Sequence, residues 1–180
     1  MRQFLRENSG NQVACDRCGT PVIPFPLVET APGDWWPDLG DYFCWDSAGD
    51  RVAYVNAARN ELWLADLLNT HARIYTGAAD TPQWSPDSSL IAFRSGYGVS
   101  TIKPDARGFK TIIPNTSTWL FAWPHFSPSG SYIVYTGFYQ PDSNFDVFRA
   151  TSTGGSRVNL TSTPYPQNES THPGSGAGWR

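Results

Sequence analysis

The chain has 180 residues, 39% of them hydrophobic and 14% aromatic, which is material for one packed core and argues against disorder. Its net charge of −3, with 13 Lys and Arg scattered rather than clustered, leaves no electrostatic footprint for nucleic acid. No run approaches the roughly 18 apolar residues of a membrane span. Residues 1–10 lack the apolar centre of a signal peptide, so the chain reads as cytoplasmic or as missing its true amino terminus.

In chain order, residues 1–39 read as an irregular lead-in or as the remnant of a preceding repeat. Gln12-Val13-Ala14 and the stretch 22–28 have strand composition, but Pro21, Pro24 and Pro26 confine the second to an edge or an extended crossing. Trp35-Trp36-Pro37-Asp38 then leads into a first strand at 41–45.

From there a repeat takes over. Trp45, Trp84 and Phe126 are aromatic anchors separated by 39 and 42 residues. Each is followed by a turn: Asp46-Ser47-Ala48-Gly49, Ser85-Pro86-Asp87-Ser88 and Ser127-Pro128-Ser129-Gly130. A β-branched residue (Val52, Ile91, Ile133) stands seven positions after each anchor and an aromatic (Tyr54, Phe93, Tyr135) nine after. Pro86 and Pro128 pre-set the backbone torsion of a tight turn, and Asp87, Ser88, Gly49 and Gly130 cap or relax it. The anchor therefore ends one strand and the turn starts the next. The second strands, 52–55, 90–93 and 132–136, are apolar on consecutive positions, which predicts burial on both faces. Third strands follow at 61–65, 98–102 and 146–150, and fourth strands at 72–76, 110–113 and 157–161. The stretch 57–68 is rich in helix formers, yet the repeat register assigns its middle to a strand, since stacking between repeats overrides a weak propensity. Residues 164–180 are Pro, Gly, Ser and Thr punctuated by polar residues, with no fourth anchor, and read as a flexible tail.

The anchor spacing falls in the range of four-stranded propeller blades. The expected fold is thus all-β: a partial β-propeller of three four-stranded antiparallel blades at 40–80, 81–122 and 123–163, together 40–163. The Trp-Ser-Pro-Asp turn, the Ile-Ala-Phe strand and the closing Asn159-Leu160-Thr161 resemble the WD40-like repeat of the TolB-type β-propeller family. The resemblance is strong at 82–95 and 124–161. It is weaker at 41–76, where Asp46-Ser47-Ala48-Gly49 lacks the turn proline. It implies a propeller of roughly six blades, commonly extracytoplasmic or periplasmic in bacteria, that serves as a protein-binding platform. Similar propellers gate prolyl oligopeptidase-type catalytic domains. The motif residues Trp45, Trp84, Phe126, Pro86, Asp87, Pro128 and Gly130 are structural in that family, so it carries over no catalytic position. Three blades fall short of the roughly four to eight of closed propellers. Either the chain is a fragment of a longer reading frame, or two copies pair as a homodimer to close a ring.

Chemistry-bearing patterns are sparse. Cys15-Asp16-Arg17-Cys18 is half of a zinc site, since two thiolates across a turn hold one edge of a tetrahedron. Cys44 is the only other cysteine, and His71, His125 and His172 are dispersed, so a metal ligand pair, a disulfide and plain thiols all stay open. Asp142, Asn144 and Asp146 alternate as in a calcium loop but lack its glycine and distal glutamate, and a hairpin loop is the simpler reading. No nucleophile elbow, acid–base triad or phosphate-cradling loop is present, so no catalytic residue, metal or cofactor is assigned. Cys44, Gln83 and His125 each precede an anchor by one; a functional reading makes them a polar ring, but three residue types at one strand position read as local packing. Trp35, Trp36, Trp119 and Phe121, in clusters beside loops, are the candidate binding aromatics. The function expected is a non-catalytic protein- or peptide-binding propeller module, and the alternative is the propeller portion of a prolyl oligopeptidase-type serine peptidase.

Overall fold

The computed structural model describes residues 43–161 apart from 57, 69, 142 and 143, together with the backbone of four short strands before residue 38. Those four form two antiparallel hairpins: β1 (Arg6–Asn8) with β2 (Gln12–Ala14), and β3 (Leu27–Ala31) with β4 (Asp34–Pro37). Trp35 and Trp36, expected in or beside a loop, lie on a strand; their side chains fall outside the described residues. So do Cys15, Cys18, His172, residues 142 and 143 and everything after residue 161.

Three four-stranded antiparallel sheets follow, each a simple meander. The first is β5 (Phe43–Trp45), β6 (Arg51–Val55), β7 (Glu61–Asp66) and β8 (His71–Thr76). The second is β9 (Ala79–Trp84), β10 (Ile91–Ser95), β11 (Gly98–Ile102) and β12 (Lys110–Ile113). The third is β13 (Trp119–Phe126), β14 (Tyr132–Tyr139), β15 (Asn144–Thr151) and β16 (Val158–Asn159). Glu61–Asp66 is a strand despite its helical composition. Leu62, Leu64 and Ala65 there are buried, and the hydrophobic gain of that packing, about 25 cal/mol per Å² of apolar surface, outweighs a few tenths of a kcal/mol of propensity. Trp119-Leu120-Phe121-Ala122-Trp123, expected in or beside a loop, opens the third sheet as the first five residues of β13.

The repeat turn works the same way in all three sheets. The residue after each anchor, Asp46, Ser85 or Ser127, is buried, and its side chain accepts the backbone N–H five positions on: Arg51 at 3.2 Å, Leu90 at 2.9 Å and Tyr132 at 3.1 Å. Asp46 thus supplies with a carboxylate what serine supplies elsewhere, which accounts for the weaker motif of the first sheet. Four positions after each anchor the chain takes a left-handed torsion, at Gly49, Ser88 and Gly130 (φ 76°, 55° and 72°).

The middle strands are buried on both faces: Val52, Ala53 and Val55, Ile91, Ala92 and Phe93, and Ile133 are each 0% exposed. One core joins the first and second sheets through Val55, Leu62, Trp84, Ile91 and Phe93. Another joins the second and third through Ala92, Val99, Ile113, Phe121 and Tyr135. The first strands β5, β9 and β13 pack on one another along the inner edge of the stack, and the fourth strands form the exposed rim.

Both inner strands β9 and β13 carry the same bulge. Thr81 and Trp123 stand three residues before their anchors with φ of 46° and 51°, each followed by a proline, Pro82 or Pro124. In both sheets the bulged pair opposes one residue, Phe93 or Tyr135. The prolines are tolerated because an inner strand is a sheet edge with no partner for their missing N–H. The bulge bends the strand and re-aims its side chains.

Candidate functional site: two cavities on the inner strands

At the anchor end, a cavity of about 260 Å³ opens between the three turns and is lined by Trp45, Trp84, Phe126, Gln83 and His125. Trp84 is 7% exposed and its indole Nε1 donates to the Cys44 carbonyl at 3.0 Å, while the Arg51 guanidinium lies 4.7 Å from its ring centroid. Pro86 and Pro128 edge the same opening, whereas Asp87 holds its turn by accepting from the Ser85 and Ser89 hydroxyls. Cys44, Gln83 and His125 are brought together here across strands about 40 residues apart in sequence. The Cys44 thiol donates to Gln83 Oε1 at 3.7 Å, and Gln83 and His125 share the cavity wall. Burial pushes the Cys44 thiol up and the His125 imidazole down from their ordinary pKa values. The polar ring that their common place one before each anchor suggested amounts here to one side-chain contact, Cys44 to Gln83, with His125 on the same cavity wall as Gln83.

At the other end of β13 a second cavity, about 220 Å³, is walled by Leu120, Phe121, Trp123, Phe138 and Phe145, with Arg94 and Tyr97 at its rim. Its origin is local. With the anchors 42 residues apart, Asp80 and Arg94 of the second sheet correspond to Ala122 and Thr136 of the third, and both pairs are cross-strand partners. Asp80 and Arg94 are ion-paired side chains, with Arg59 also 3.5 Å from the Asp80 carboxylate. Ala122 and Thr136 are small and leave room. The Thr136 hydroxyl, in a residue 2% exposed, has no hydrogen-bonding partner among the described residues. A buried orphan of this kind costs stability unless something pairs with it.

The aromatics divide. Trp119 stacks on Phe121, with ring centroids 6.2 Å apart, and meets Phe148 edge-on at 5.0 Å, which places it in the core between sheets. Phe121, 6% exposed, serves that core and also faces the cavity. Phe138 and Phe145 were not singled out from sequence. Phe138 and Phe145 form a cross-strand pair with centroids 4.8 Å apart. Among the described residues no three or more His, Cys, Asp or Glu side chains gather as a metal site, and no helix is long and apolar enough to cross a membrane.

No protein-family model matches the chain, and no curated protein resembles it in sequence. Solved structures do match in shape. A putative TolB from Agrobacterium tumefaciens aligns with a TM-score of 0.56 at 22% identity, over 64% of this chain and 47% of that one. The fold is that of part of a TolB-like β-propeller. TolB from Acinetobacter baumannii aligns with a TM-score of 0.58 at 18% identity, over 83% of this chain and 36% of that one. A structure from a study of two prolyl endopeptidases aligns with a TM-score of 0.53 at 16% identity, over 66% of this chain and 21% of that one. The chain thus spans less than half the length of the TolB structures it matches, and enzyme propellers stand beside TolB among its neighbours.

Proposed function

We propose that this chain is a non-catalytic propeller module that binds a protein or peptide partner, working outside the cytoplasm as the TolB resemblance implies. The observation that carries the reading is the cavity at the Leu120–Trp123 end of β13. It is a mostly aromatic recess with one buried hydroxyl, Thr136, and a guanidinium, Arg94, at its rim. Apolar walls with a few placed polar groups are the common form of a recognition pocket, and aromatic anchors dominate protein interfaces.

Selection of a displayed peptide library on the purified chain, followed by affinity measurement with the Trp123→Ala variant, tests this. Selected peptides should lose about tenfold or more in affinity on that substitution. Recovery of no sequence-specific peptide, or turnover on a peptidase substrate panel, would count against it.

The match to the prolyl endopeptidase structure supports a second reading, the propeller portion of a larger serine peptidase. It requires an α/β-hydrolase segment in the same reading frame. Closure of a ring by a homodimer is a separate alternative. It predicts a solution mass about twice the 19.9 kDa of the chain by light scattering.

A further inference from the structure

We infer that the cavity at the anchor end is a saccharide site that takes one neutral pyranose ring, gripped by Gln83 and His125 between aromatic walls. This goes beyond the peptide-binding reading and does not rest on it, since the two cavities lie at opposite ends of β13.

The cavity is built by all three sheets at once. Trp45, Trp84 and Phe126, one anchor from each sheet, contribute to its walls, and the turns that follow the anchors form its rim. The rim is tied from turn to turn by one rule: the residue two after an anchor meets the residue four after the next anchor. The Ser47 N–H and hydroxyl both meet the Ser88 hydroxyl, at 3.2 and 2.8 Å. Gly130 sits against Pro86 in the same way, and a Cβ on that glycine would lie 3.7 Å from the proline Cδ. A rim held like this stands in place before a ligand arrives, which lowers the ordering cost of binding.

Its polar groups are uncharged. Among the side chains that line the cavity only the His125 imidazole can carry a charge, and burial holds that ring below its ordinary pKa and so favours the neutral form. The ion pair beside it is closed on itself: Arg51 reaches Asp46 at 3.0 Å and lays its guanidinium over the Trp84 ring. An ion entering here would give up hydration with no opposite charge to replace it. What the walls offer instead is unused hydrogen-bonding capacity. Gln83 Oε1 accepts from the Cys44 thiol, a weak donor, at 3.7 Å, and the carboxamide N–H groups stay available. The His125 ring makes no hydrogen bond to a described residue. In its neutral form it donates at one nitrogen and accepts at the other.

A pyranose matches both halves of this lining. Its hydroxyls donate and accept, as the carboxamide and the imidazole do, and the weakly positive C–H face of the ring packs on the negative face of an aromatic side chain. The volume of about 260 Å³ lies just under the roughly 300 Å³ at which pockets for drug-sized ligands begin, which is room for one ring and not for a run of peptide backbone.

The probes are the methyl glycosides of glucose, galactose, mannose and N-acetylglucosamine, with sodium glucuronate as the charged counterpart. Each is titrated by NMR against the intact 180-residue chain, and the His125 ring protons are followed in the same samples. Support is binding of at least one neutral glycoside in the millimolar range or tighter, a shift of the His125 signals as it binds, and about tenfold or greater weakening for glucuronate. Gln83→Leu and His125→Leu, both at half-buried positions, should each weaken binding about tenfold, and the His125 shift in the intact chain decides the matter if neither variant folds. Failure of every glycoside to bind overturns the inference, and that is also the result if another part of the chain fills the cavity. Glucuronate bound as well as the neutral sugars, His125 signals that do not move, or binding that ignores the folded variants overturns it too. Library peptides that depend on Gln83 or His125 rather than on Trp123 would put a peptide in this cavity, overturning the saccharide assignment while leaving a binding module standing.

Discussion

Replacing Thr136 by valine turns the unpaired hydroxyl into a measurement. A buried Thr whose hydroxyl is hydrogen-bonded loses about 1 kcal/mol when changed to Val, because the partner group is left unsatisfied. Thr136 is 2% exposed and its Oγ1 has no partner among the described residues, so the sign should reverse. Burying a lone hydroxyl costs about 1–3 kcal/mol in protein hosts, and the replacing methyl adds up to about 0.8 kcal/mol of apolar burial. Part of that gain is forgone because the cavity leaves one side of the methyl without contacts. The expected net effect is a stabilisation of about 1 kcal/mol, seen as a rise of about 3 °C in Tm or a higher urea midpoint at unchanged slope. Tryptophan-detected urea unfolding of the two proteins side by side gives the value. A loss of about 0.5 kcal/mol or more would show that the hydroxyl is already paired in the free protein, and the recess would then lose its polar contact point.

Three further outcomes follow from the geometry. Gly154 has φ +93° and a Cβ there would lie 2.2 Å from the Ile112 carbonyl oxygen, so Gly154→Ala should cost about 3 kcal/mol by urea unfolding by forcing the third sheet's last turn off the second sheet. Asp80→Asn removes a carboxylate that pairs with both Arg94 and Arg59, and thermal melts should show a loss of about 2 kcal/mol that added salt lessens. Burial holds the His125 imidazole below its ordinary pKa, so the unfolded chain takes up its proton first as pH falls. Stability should be full above about pH 6.5 and decline from there toward the lower folded value, and His125→Gln should flatten that slope in urea titrations taken across the range.

The sheets were legible in the sequence because each turn is a local device. The Ser85 hydroxyl bonds Ser89 and Leu90, four and five residues away, and Pro86 fixes a torsion on its own, so a ten-residue window contains the whole cause. The start of β13 was harder to read. Its bulge at Trp123 and its proline at 124 look like loop signals, and only the edge position of the strand makes them compatible with a sheet. Counting back from the anchors would have found it, since Thr81-Pro82 and Trp123-Pro124 share one register. Trp35 and Trp36 lie beyond the repeat, where no register helps, and their strand pairing with 27–31 had no comparable signal.

The sequence by itself determined the repeat, the four-stranded unit and the strand assignment of 61–65. Each is a matter of spacing and torsion within some tens of residues. The Cys44–Gln83 contact beside His125 and the recess at Thr136 were decided only when the sheets stacked. Both depend on side chains about 14 to 80 residues apart meeting along the inner edge, and on the exchange of an Asp80–Arg94 pair for Ala122–Thr136 between successive sheets. Whether an exchange of that kind opens a space or simply repacks depends on what lies behind both residues, a property of the packed interface and not of either strand.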